Sequence, residues 1–226
     1  SKVNLRYSYR IIFIPETIGS IAYLSKNLED MKQNLVAGFN VTCVGDDNNY
    51  SFMPSKNGST LSDKVALHVL KNKQPKFKAF SFLERGSDER QYCSPGVDLP
   101  VCSIMRTKYG EYDEYHTSLD DLNFISPSGL NGAYEIYSTI IDVLENNYKY
   151  TNTILCEPQL GRRGMYPNIS TKNTKASVEM MMNLLTYCDG ELDLVDIAEL
   201  IQRPAWNLFE LVEKLEDEGI IKRISQ

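Results

Sequence analysis

Leu5-Arg-Tyr-Ser-Tyr-Arg-Ile-Ile-Phe-Ile-Pro15 first alternates and then runs continuously apolar, the pattern of a strand entering a buried sheet. Pro15 ends it, and Glu16-Thr17-Ile18-Gly19-Ser20 turns directly into the helical spacing of Ile21–Leu28. A strand passing through a short turn into a helix belongs to an α/β layer fold, whose ligand sites lie beyond the C-terminal ends of strands. Glu16 stands at such an end. A carboxylate there also has an ordinary role, because the positive end of a helix dipole favours it.

The same alternation continues downstream. Val36–Val44 is a second strand candidate, rich in β-branched residues, and it ends in Gly45-Asp46-Asp47-Asn48-Asn49-Tyr50. That paired-acid turn reads either as an Asx turn or as a carboxylate aimed at a metal. Leu61–Asn72 is an amphipathic helix capped by Thr60, and its His68 lies among apolar neighbours as a packing or solvated residue rather than a ligand. Phe77–Leu83 reads as a short strand before the charged turn Glu84–Tyr92, and Pro100–Met105 as another buried strand. Arg106–Gly110 leads from it into Tyr-Asp-Glu-Tyr-His-Thr-Ser-Leu-Asp-Asp (112–121), which holds His116 among Glu111, Asp113, Glu114, Asp120 and Asp121. Ser126–Asn146 is a long helix with Pro127 in its first turn. The expectation is a three-layer α/β domain with a mixed, mostly parallel sheet. If its strands point the same way, the loops bearing Glu16, Asp46/Asp47, Asp88/Glu89 and His116 converge on one sheet edge.

Beyond residue 146 the pattern changes. Tyr148–Leu155 is a strand candidate, and Glu157–Lys175, with Pro158, Gly161, Gly164 and Pro167, reads as a linker. Three helices follow (Ser177–Tyr187, Leu192–Ile201, Ala205–Glu218) and then a short strand, Ile220–Ile224. This order suggests a winged helix, giving domains at 1–156 and 176–226 around a linker at 157–175. From Asp189 onward ten acids face only Arg203, Lys214, Lys222 and Arg223, so phosphate would be repelled. The module reads as a surface for protein contact or self-association, with no nucleic acid as partner.

Composition narrows the class. A net charge of −6 also argues against a general nucleic-acid binder. Five scattered cysteines, odd in number and never in a CxxC pair, point away from a disulfide framework or a structural zinc site and towards a reducing cytoplasm. No apolar run approaches a membrane span and no leader peptide is present. A chain that starts inside strand-like sequence reads as part of something longer.

Clustered Glu, Asp and His suit a divalent metal, zinc above all where imidazole and carboxylate mix, and a carboxylate beside it suits removal of a proton from water. Ser87-Asp88-Glu89, Gly96-Val97-Asp98-Leu99-Pro100 and Tyr115-His116-Thr117-Ser118-Leu119-Asp120 together resemble the closing signature of the co-catalytic zinc aminopeptidases, usually Ser-Asp-His, a Gly-Ile-Pro turn and His-Thr/Ser-x-x-Asp. With Glu16-Thr17-Ile18-Gly19-Ser20 and the C-terminal winged helix, the whole chain is similar to an aminopeptidase-like branch of that clan. The resemblance implies the zinc-exopeptidase sheet, hydrolysis of a peptide or related amide, and zinc as cofactor. It places His116 and Asp46 (Asp47 as the alternative) as ligands, Glu16 as general base, and Asp88 and Asp120 as carboxylates that orient the site. Arg85, Arg90 and Arg106 are candidates for holding a substrate carboxylate, Arg106 foremost, against the commoner role of ion pairing.

Two departures stand out. Thr17 occupies the position where the family carries a second, ligating glutamate. The family's first zinc histidine and bridging aspartate precede the base, and residues 1–15 contain neither. A complete di-zinc site is therefore not expected from this chain alone. The competing expectation is a non-catalytic relative that keeps the fold and binds a partner through its acidic winged helix.

Overall fold

The computed structural model describes residues 5–156 and 172–224. They form two compact units, Ser1–Ile141 and Asp142–Gln226.

The first unit is built on a mixed four-stranded sheet in the order β1-β4-β2-β3: β1 (Gly38–Asn40), β2 (Ser51–Met53), β3 (Lys78–Ala79) and β4 (Val101–Met105). β1 runs parallel to β4 with Gly38 opposite Val101, and β2 runs parallel to β3, but β2 and β4 are antiparallel. β4 is buried at all five positions, as a central strand covered on both faces must be. Side chains alternate along it. On one face Val101 joins the cluster of Leu24 and Met31 from α1 (Ile18–Asn34) with Tyr92 of α3 (Glu89–Tyr92). On the other, Phe39, the register partner of Cys102, packs edge-on against Tyr137 of α4 (Pro127–Asn146). Helices therefore cover both faces, as expected of a layered α/β unit. α2 (Leu61–Lys73) starts at Thr60 with a reciprocal capping box to Asp63, and its His68 is buried as a packing residue.

The strand expected over residues 5–15 is not formed. The segment pairs with no strand among the described residues, and Ile11 and Phe13 are 79% and 94% exposed. A strand exists only through its neighbour, and apolar patterning does not supply one. Arg10 ties the segment to α1 instead, through Tyr23 and Asp30, both at 3.0 Å. Phe77–Leu83 shortens to the two-residue edge strand β3 followed by a 3-10 turn at Phe82–Glu84. β2 and α3 were not foreseen.

In the second unit β5 (Lys149–Asn152) pairs antiparallel with both β6 (Asp189–Asp193) and β7 (Ile221–Arg223). The strand near 150 thus belongs to this sheet, and the change of unit lies upstream of the expected boundary at 156. Most of the expected linker, 157–171, lies outside the described residues, and α5 (Lys172–Thr186) begins inside its remainder. α6 (Leu194–Leu200) and α7 (Phe209–Asp217) complete the unit around the fully buried Leu184, Leu194, Ile197, Leu208 and Leu215. No described helix is long and apolar enough to cross a membrane.

Candidate active site

The turn at Glu16–Thr17 is the most constrained piece of backbone in the first unit. Thr17 has φ 64° and ψ −67°, and the Ile18 amide donates to the Glu16 carbonyl at 2.7 Å. That is a γ-turn of the positive-φ kind, rare for any residue and a genuine outlier for a β-branched one. Such strain costs about 1–3 kcal/mol and persists only where the surroundings hold it. Asp88 holds it here: one carboxylate oxygen, Oδ1, accepts the Thr17 amide at 2.6 Å and the Ser20 hydroxyl at 2.9 Å. Arg90 Nη2 donates to Thr17 Oγ1 at 2.6 Å. Gly19 lets the preceding segment cross over the start of α1, since a Cβ there would sit 2.6 Å from Ile14 Cβ. The result presents Glu16 to solvent beside a fixed turn.

Glu89, next to Asp88, is fully buried and accepts five hydrogen bonds. Oε1 takes the Gly86 and Ser87 amides at 2.9 and 3.0 Å and the Tyr109 hydroxyl at 2.7 Å. Oε2 takes Asn40 Nδ2 at 3.0 Å and Ser103 Oγ at 3.2 Å. Burial pushes its carboxyl up, but the Tyr109 hydroxyl and the two amides outweigh burial and leave it below its ordinary value. Glu89 thus joins α3, β1 and β4 and fixes the loop that carries Asp88.

From Tyr109 the aromatic residues lead to the histidine. Tyr109 and Tyr115 lie 6.4 Å apart between ring centroids, and Tyr115 stacks on His116 at 3.9 Å. His116 is exposed with φ 59°, a left-handed conformation that histidine tolerates better than most residues. The Tyr115 hydroxyl is pushed up by burial and then by the charge of Glu16, with Arg90 opposing. Glu16 therefore lies within electrostatic reach of the ring that carries His116. A cavity of about 270 Å³ is lined by Cys43, Asp46, Tyr112, Tyr115, Asp120 and Phe124, among others. Tyr112 stacks on Phe124 at 4.9 Å, and its hydroxyl donates to Cys43 Sγ at 3.7 Å. Asp46 and Asp120 thus line one cavity with Tyr112, Tyr115 and Phe124, Asp88 and Arg90 hold the turn that follows Glu16, and His116 stacks on Tyr115.

The two strand-end aspartates are already engaged. Asp46 is buried: Oδ1 accepts from the Thr107 hydroxyl at 2.6 Å and the Asn48 amide at 3.0 Å, and Oδ2 from the Thr107 amide at 2.9 Å. Asp47 is exposed and held by Ser126 and Ser128 at the start of α4, which lower its carboxyl below the usual range. Gly129 permits that approach, since a Cβ there would lie 2.1 Å from the Gly45 carbonyl oxygen. Arg106 is buried, stacked 4.1 Å over Tyr50, and donates to the Asn49 and Gly129 carbonyls and the Tyr50 hydroxyl. Among the described residues no three His, Cys, Asp or Glu side chains come close enough to hold a metal ion. A zinc ion needs at least three protein donors, so the residues described do not by themselves fit the zinc site that the resemblance implies.

Three residues that sequence reasoning passed over shape the site: Tyr112, Tyr115 and Phe124. Their only signal was an aromatic at nearly every third position beside the histidine.

Comparison with known proteins follows the two units. A family model described as a domain of unknown function, DUF4910, matches residues 1–147, and a winged helix-turn-helix model matches residues 148–223. A Clostridium acetobutylicum protein described as a candidate polysaccharide biosynthesis protein with an aminopeptidase-like domain is 43% identical over 200 residues, covering 88% of this chain and 46% of its own. A crystal structure of a protein from Clostridium acetobutylicum, described as a candidate peptidase, superposes with a TM-score of 0.88 and 37% identity over 99% of this chain and 50% of that one. An aminopeptidase from Aneurinibacillus sp. strain AM-1 matches at a TM-score of 0.47 and 18% identity over 56% of this chain, too remote to build on. The chain spans about half the length of the first two proteins.

Proposed function

This chain belongs to the DUF4910 domain-of-unknown-function family, and we propose that it is the C-terminal portion of an aminopeptidase-like hydrolase acting on a peptide or related amide. The observation that carries this reading is the γ-turn at Thr17: Asp88 and Arg90 fix a strained turn directly after an exposed carboxylate, Glu16, whose charge acts on the Tyr115 hydroxyl. Strain stored in the residue next to an exposed acid suits function better than packing. The peptidase-named relatives, similar over nearly the whole chain, support the reaction class.

In this reading Glu16 takes a proton from the attacking water and returns it to the departing amine, a role requiring a carboxylate in hydrogen-bond reach of the scissile amide. Asp88 positions it. Tyr115 orients the His116 ring by stacking, and Asp120 sets negative charge at the rim of the aromatic cavity. Zinc, with His116 and Asp46 or Asp47 among its ligands, is part of the proposal only with donors beyond those described, so no step here runs through a metal. The test is hydrolysis of aminoacyl amides by the natural gene product, with its metal content measured, and the same assay on Glu16→Gln. Undiminished turnover in that variant would remove the base.

A second reading rests on the hydrogen bonds that engage both oxygens of Asp46 and on the acids of α7. It is a non-catalytic member that keeps the fold and binds a protein through the winged helix. It expects no hydrolysis, no bound metal, and a specific complex that is lost on removing residues 177–226.

A further inference from the structure

Three arginines lie near the candidate site, and the structure separates them. Arg106 is buried and its guanidinium is engaged by two backbone carbonyls and Tyr50. Arg85 lies over the Phe82 ring at 5.0 Å and bonds the Phe82 carbonyl at 3.4 Å. Arg90 is exposed, and its recorded hydrogen bond goes to a neutral group, Thr17 Oγ1, at 2.6 Å. Among the described residues no carboxylate is recorded as an ion-pair partner of Arg90. A guanidinium presents five donors in a planar fork, so one bond from Nη2 to Thr17 fixes the head and leaves a donor edge for a second, bidentate partner.

The position of that edge is informative. Thr17 is the residue after Glu16, and the Asp88 side chain locks the turn between them. Glu16 and Arg90 also act on the same Tyr115 hydroxyl, with opposite sign. The Arg90 head is thus fixed against the residue that follows the proposed base.

We propose that Arg90 receives the free carboxylate of the substrate, so that this site favours short peptides or other N-acyl amino acids that carry a free carboxylate close to the amide presented to Glu16. This rests on the peptidase-like reading for the identity of the scissile bond, but the carboxylate subsite stands on Arg90 and can be measured without turnover. Arg90 positions the substrate and transfers no proton. The fixed Thr17 contact means the guanidinium is oriented before the carboxylate arrives, which limits the entropy lost on binding.

The test is binding of glycylglycine and of glycylglycinamide to the natural gene product, followed through NMR shifts of the Arg90 Nε–H and the His116 ring. The acid is expected to bind roughly tenfold or more tightly than the amide, the scale of a charge-assisted pair. Arg90→Gln is expected to bind both equally, Arg90→Lys to retain part of the preference, and Glu16→Gln to retain all of it. Equal affinity for acid and amide in the wild type, no binding of either, or a preference surviving in Arg90→Gln would overturn the assignment. The two claims fail separately. Acid preference without Glu16-dependent hydrolysis leaves the subsite and removes the base. Hydrolysis that needs Glu16 but ignores the carboxylate removes only the subsite.

Discussion

Glu89→Gln exchanges the buried carboxylate that joins α3, β1 and β4 for an amide of the same shape. Five donors point at Glu89, and an amide offers one acceptor atom where the carboxylate offers two. Loss of charge assistance forfeits about 1 kcal/mol per bond, or about 5 kcal/mol in all. Avoiding the burial of a charge returns about 2–3 kcal/mol of this. The net loss is about 2–3 kcal/mol, or roughly 5–10 °C in Tm for a unit of this size. The pH dependence gives an independent check. The folded carboxyl is held below its ordinary value of 4.5, so its stabilisation is complete above that value and is lost as pH falls through the lowered one. Hydrogen exchange at the β4 amides, read in urea for wild type and variant, reports the first unit alone. The stability gap should be full at pH 7 and should close under strongly acidic conditions. Equal protection at pH 7, or a gap that persists unchanged into acid, would refute the reasoning.

Asp88→Ala removes the acceptor for Thr17 N and Ser20 Oγ while relieving the strained turn. The net stability loss should be only about 1–2 kcal/mol, yet the Thr17 and Ile18 amides should lose their slow exchange; Asp88→Asn, which keeps an oxygen, should retain most of it. Gly129→Ala places a methyl 2.1 Å from the Gly45 carbonyl oxygen, so α4 or the Asp46 turn must move; a stability loss of about 1–3 kcal/mol by urea titration is expected, with changed shifts at Asp46 and Thr107.

The helices α2 and α4 are legible in the sequence because their signals are local, whereas α3 is missed and α1 extends well beyond Ile21–Leu28. Thr60 and Asp63 form the capping box that starts α2, and Pro127 opens α4. Strands were read less well. β6, Asp189–Asp193, is polar at most positions and is a strand only because β5 lies beside it. The converse holds for residues 5–15, which have the apolar pattern but no partner among the described residues. At the site, the residue types of Glu16, Asp88 and His116 are legible in the sequence, and the sequence alone does not say which of them meet. What linear order hid was the division of labour between adjacent acids: Asp88 holds the γ-turn, Glu89 is a buried structural hub where the related motif carries histidine, and Asp46 caps Thr107. Each role depends on donors far away in sequence, 71 residues in the case of Thr17 and Asp88.

The proposed role of Glu16 is met most directly by single-turnover hydrolysis of an aminoacyl amide by the natural gene product, comparing wild type with Glu16→Gln at matched metal content. Loss of a general base predicts a fall of about 10²–10⁴-fold in rate with substrate binding preserved. A rate unchanged by the substitution would contradict it.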